Sequence, residues 1–133
     1  MTTPTTEPER VRDRNGLYSV LVGLASLGIV LQAVWAGMFI RPGVAFDAFW
    51  VTVHARGAEV TIALALASAV VAFLRLRSRR DLVIGSAALT VLLALEAFIG
   101  GEIIDAPGLS VLHFPLALLL MALAVWLPLR ARR

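Results

Sequence analysis

Four apolar runs, at about residues 17–40, 49–74, 82–101 and 109–129, leave this chain few ways to fold. Each is long enough to cross roughly 30 Å of hydrocarbon at about 1.5 Å per residue. A segment inside lipid must satisfy its own backbone hydrogen bonds, and the runs lack the alternation of barrel strands, so each is expected to be a helix. The expected fold is an all-α polytopic membrane four-helix bundle, a single domain over residues 16–133. Residues 1–15, short and polar, are expected to form a disordered tail. The chain of 133 residues has no room for a second, soluble domain, and its 59% hydrophobic content and mean hydropathy of +0.87 agree.

The charges orient the runs. All 12 basic residues are arginine, which reads as a GC-rich coding bias. Arg10, Arg12 and Arg14 precede the first run, Arg75, Arg77, Arg79 and Arg80 fill the second loop, and Arg130, Arg132 and Arg133 close the chain. Only Arg41 and Arg56 fall on the other side. The positive-inside rule therefore predicts cytoplasmic termini and a cytoplasmic middle loop in a bacterial inner membrane. The pI near 11.0 follows from these arginines and points to anionic lipid, not nucleic acid. No small-residue cleavage site follows the first run, so it is expected to stay as a helix. The absence of cysteine excludes disulfides, thiolate metal sites and covalently attached c-type haem.

Residues 95–114 largely repeat residues 31–54. Leu31, Gln32 and Gly37 correspond to Leu95, Glu96 and Gly101, each 64 residues on. Pro42 and Gly43 correspond to Pro107 and Gly108, and His54 corresponds to His113 with a shorter loop between. An internal duplication of a helical hairpin is the natural reading. His54 lies 21 residues from Arg75, roughly 31 Å, and His113 lies 17 residues from Arg130, roughly 25 Å. The histidines therefore fall within about one helical turn of the same depth, on the second helix of each hairpin.

If the hairpins pack about a pseudo-two-fold axis along the membrane normal, the two imidazoles face each other. Two neutral imidazoles suit the axial positions of a haem iron, whereas a bare zinc or copper ion wants three or four protein ligands. Below His54 the small residues Gly57, Ala58, Thr61, Ala65 and Ser68 share a face beneath which a planar ligand could fit. Gln32 and Glu96 are expected to point inward, with Glu96 neutral or hydrogen-bonded to Gln32 or a backbone carbonyl. Arg41 and Arg56 stand where haem propionates would emerge. Glu59 lies about 140° round the helix from His54, and is expected to pair with Arg56 or to mark a contact with another subunit.

The run from Gln32 through Gly37 to His54, repeated in a hairpin whose last helix opens as LHFPLALLL from Leu112, resembles one four-helix half of haem A synthase. It is also similar to short bacterial four-span proteins with paired histidines. The resemblance spans roughly residues 31–126 and implies one b-type haem between His54 and His113. Departures are clear: there is no second four-helix half, Val51 stands where the enzyme has a glutamate, and Glu96 replaces a glutamine of its third helix. The resemblance therefore implies haem binding without the enzyme's oxidative chemistry, and no catalytic residue is assigned.

The expected function is thus haem b binding for electron transfer or haem handling. A redox partner or quinone, membrane lipid, and a homo-oligomer or larger membrane complex are the expected partners. Two other classes remain open: a cofactor-free structural or assembly subunit, and a small proton-coupled carrier built on Glu59 and Glu96.

Overall fold

A computed structural model describes residues 7–40, 45 and 47–132, with side chains from Gly16 onward. The described residues form four α-helices: α1 (Glu7–Phe39), α2 (Ala48–Arg75), α3 (Arg80–Glu102) and α4 (Ser110–Ala131). A 3₁₀ turn at Pro107–Leu109 leads into α4. All four helices are long and apolar enough to cross a membrane, and the chain is a multi-pass membrane bundle.

The helix ends follow from local chemistry. Asp47 caps α2, its carboxylate accepting from the Phe49 N–H at 3.0 Å. Residues 76–79 turn the chain directly into α3. The start of α1 departs from expectation, because residues 7–15 are helical and not a disordered tail. Pro8 sits in the first turn, where its missing N–H costs nothing, and once nucleated in the apolar run a helix extends cheaply through residues that contain no breaker. Residues 1–6 lie outside the described residues.

The helices pack in a ring: α1 against α2, α2 against α3, α3 against α4, and α4 back against α1. Consequently α2 and α4, the helices that carry the histidines, stand diagonally opposite.

One end of this ring is filled. Tyr18, Val22, Leu82, Leu89, Leu120 and Leu127 are essentially inaccessible, and the whole contiguous core is drawn from residues 18–29, 65–76, 82–93 and 120–131. Those segments all lie toward the end that carries the α2–α3 turn and its arginines. Because lipid is as apolar as leucine, such contacts hold the helices by close packing and internal hydrogen bonds instead of hydrophobic burial. The Tyr18 and Ser86 hydroxyls meet at 2.9 Å between α1 and α3, and Ser26 donates across to the Ala124 carbonyl at 2.7 Å. Gly28 lets α1 approach Thr61 so closely that a Cβ there would collide with the threonine hydroxyl. At the surface of this end Asp81 accepts from Arg79 at 3.1 Å and from Arg130 at 2.7 Å, tying α3 to the end of α4. The hydrogen bond to Asp81 holds the Arg79 guanidinium above its ordinary pKa.

Candidate functional site

The other end of the ring is built differently. Gln32, His54, Glu96 and His113 come one from each helix, and all four are buried or half-buried. Counted along the helices, Glu96 lies roughly 22 Å above Asp81 and His113 roughly 25 Å above Arg130, beyond the last residues of the aliphatic core. At this level the only buried apolar side chain among the described residues is Ile99, which stands apart from the core.

The four polar residues form two like pairs. In the first, His54 Nδ1 lies 3.1 Å from the Gln32 carbonyl oxygen. The Gln32 side chain spans the same turn of α2: with its amide oriented to satisfy both ends, its oxygen accepts from the Ala58 N–H at 2.9 Å. Its nitrogen then donates to the His54 carbonyl at 3.0 Å and, when Nδ1 is the unprotonated ring nitrogen, to Nδ1 at 2.9 Å. The Phe39 ring meets the imidazole edge-on, with centroids 5.5 Å apart.

In the second pair, His113 Nδ1 lies 3.0 Å from Glu96 Oε1. The contact is close but poorly aligned, so neither carboxyl oxygen nor Nδ1 completes a hydrogen bond. The His113 ring lies against Gly100, where an added Cβ would come within 2.9 Å of Cε1. Glycine at that position makes the room the imidazole occupies. Each pair therefore turns Nδ1 toward an oxygen on the first helix of its own hairpin, and leaves Nε2 pointing elsewhere.

The remaining predicted residues divide. Thr61 is buried, donates to the Gly57 carbonyl at 2.7 Å and abuts Gly28. Gly57 faces the Trp35 ring and the Gln32 amide. Gly57 and Thr61, on the small face below His54, thus pack against α1 and also line a groove of about 420 Å³ between α1 and α2. Glu96 meets His113 instead of Gln32. Arg56 is two residues from His54, about 200° round the helix, and is 73% exposed on the opposite face. It makes a two-pronged ion pair with Glu59 at 2.8–2.9 Å, as the i,i+3 spacing predicted, and does not turn toward the histidines. Glu59 and Glu96 are not brought together, since Glu59 faces outward with Arg56. Arg41, Pro42 and Gly43 lie outside the described residues.

Reasoning from the sequence missed Phe39, Trp35 and Gly100 as neighbours of the site. Gly100 stood in the repeated motif, next to the Gly101 that was matched to Gly37; the two aromatics carried no signal beyond composition. Among the described residues no group of three or more His, Cys, Asp or Glu could hold a bare metal ion. No protein-family model, curated protein or solved structure matches this chain.

Proposed function

We propose that this protein binds one b-type haem between His54 and His113, near the outer face of a bacterial cytoplasmic membrane, for one-electron transfer or haem handling. The observation that carries the reading is the pairing of the imidazoles. They sit on diagonal helices at the end of the bundle beyond the aliphatic core, and each has Nδ1 turned toward an oxygen of its own hairpin. In the tautomer that donates Nδ1–H to the Gln32 carbonyl on one side and directs it toward Glu96 on the other, Nε2 would carry the free lone pair in both. That is the donor arrangement two axial ligands require, and two imidazoles without a third ligand suit a haem better than a bare ion. The buried Glu96 oxygens and His113 Nδ1 have no aligned partner among the described residues, which supports a polar site at this end of the bundle.

A haem bound there supplies a one-electron couple, and the chain's own residues do the rest. Gln32 and Glu96 fix the tautomer and direction of the two rings, Phe39 walls one side of His54, and Gly100 gives His113 its place. A redox partner or quinone would meet the site at the same face, with both termini and the α2–α3 turn cytoplasmic, as the arginines predict.

Protein purified from haem-replete cells should show a Soret band at one haem per chain with a low-spin, six-coordinate spectrum. His54→Ala and His113→Ala should each abolish that spectrum while helicity by circular dichroism is retained. Colourless protein that takes up no added hemin would remove the reading, and would leave a cofactor-free structural subunit as the better account.

A further inference from the structure

The Arg56–Glu59 pair plays no part in the site just described. Both residues belong to α2 within its apolar span, yet their side chains are 73% and 63% exposed. Glu59 is 16 residues from Arg75, roughly 24 Å, and 9 residues from Trp50, roughly 13 Å, so it falls inside a hydrocarbon layer of about 30 Å whichever residue marks the boundary. Ionisable residues at such depth nearly always face a protein interior or a water-filled space, because lipid solvates them poorly. This pair faces out of its own bundle.

The surrounding face suits a close protein neighbour. Within about 70° of the direction midway between the two charges lie the small residues Thr52, Ala55, Ala63 and Ala67 together with the exposed apolar side chains of Phe49, Leu66, Val70 and Leu74. Beside them a groove of about 420 Å³ runs between α1 and α2, with Arg56 on its rim and Gly28, Val60 and Leu64 among its walls.

We propose that this face of α2 is a homodimer interface, with Arg56 of each copy pairing with Glu59 of the other. The charges choose the partner. Two copies inserted in the same orientation are related by a two-fold axis along the membrane normal, which brings α2 against a parallel α2. Residues 56 and 59 differ in height by about 4.5 Å, a gap the arginine side chain spans. One face then carries both a cation and its matching anion, so it is complementary to itself. An anionic lipid head group fits less well, because the Glu59 carboxylate stands beside the guanidinium and repels phosphate.

The chain has no cysteine, so Ala63→Cys introduces a sole thiol on this face, and Leu118→Cys, 74% exposed on α4, serves as its control. In lipid vesicles at low protein density, oxidation should convert most of the Ala63→Cys protein to a disulfide dimer and leave Leu118→Cys monomeric. In the Ala63→Cys background, Arg56→Glu alone and Glu59→Arg alone should each lower the dimer yield at least tenfold, and the double exchange should restore it. Equal crosslinking at positions 63 and 118 overturns the proposal. So does a double exchange that folds by circular dichroism but stays monomeric. If the single reversals fail to fold, the comparison of positions 63 and 118 decides alone. None of these readouts depends on haem.

Discussion

The two ends of the bundle are made from the same four helices but hold together by different means. At the arginine end, leucines, alanines and a few hydroxyls interlock with almost no exposed surface among them. At the histidine end, four polar side chains occupy the corresponding space, and two of them leave buried atoms without aligned partners. The first end is where stability resides, and the second gives up packing for chemistry, the division expected when a site sits on a rigid support.

The sharpest test of that division exchanges the two kinds of loss. Leu89→Ala and Leu127→Ala, both at fully buried positions, should lower unfolding free energy by about 2–4 kcal/mol, read by helicity during denaturation in mixed micelles. His54→Ala and His113→Ala should each cost less than the leucine variants by the same measure, because both rings are only partly buried. If the histidine variants unfold as readily as the leucine variants, the polar end is part of the stabilising core and the contrast fails.

Glycine substitutions sharpen the contrast at single methyl groups. Gly28→Ala drives a Cβ into Thr61, a short β-branched side chain that cannot swing aside, and should cost about 1–3 kcal/mol while leaving any bound haem spectrum unaltered. Gly100→Ala pushes on the His113 ring instead. Its expected signature is a weakened or shifted Soret band with stability nearly intact. A smaller effect, about 1 kcal/mol, is expected for Tyr18→Phe, which deprives the buried Ser86 hydroxyl of its partner across α1 and α3.

The contrast between ends was only partly legible in the sequence. Hydropathy located the four helices to within two residues of their observed ends, except at the start of α1, where polar composition hid a helical extension. The members of the Gln32–His54 and Glu96–His113 pairs lay within the repeat, 22 and 17 residues apart, but their pairing did not follow from it, since Glu96 was expected to meet Gln32 or a backbone carbonyl. The direction of Arg56 was also available, since two residues from His54 means about 200° round the helix; placing it near propionates considered its depth and neglected its angle. The gathering of the aliphatic core at one end could not have been read. In a membrane span both the lipid-facing and the core-facing positions are apolar, so the periodicity that marks a buried face in a soluble helix is nearly erased. Trp35 illustrates the same loss: as an apolar residue among apolar residues it gave no sign that it fills the space over Gly57.

The smallest effect concerns what fastens the arginine end. Asp81 receives Arg79 and Arg130 at its two oxygens, and this cluster joins α3 to the last turn of α4. The groups are partly exposed, with about a quarter of the Asp81 side chain accessible and 44% of Arg130, so water and salt screen their attraction. Asp81→Asn keeps the shape, removes the charge, and should cost no more than about 1 kcal/mol at low ionic strength. The loss should shrink as sodium chloride is raised, because the wild-type pairs weaken while the variant has little left to screen. Leu127→Ala, which leaves the charges untouched, should show no such salt dependence. A cost for Asp81→Asn as large as that for Leu127→Ala, and insensitive to salt, would mean that charge and not packing closes this end. The two ends would then differ in which polar network holds them, not in whether one does.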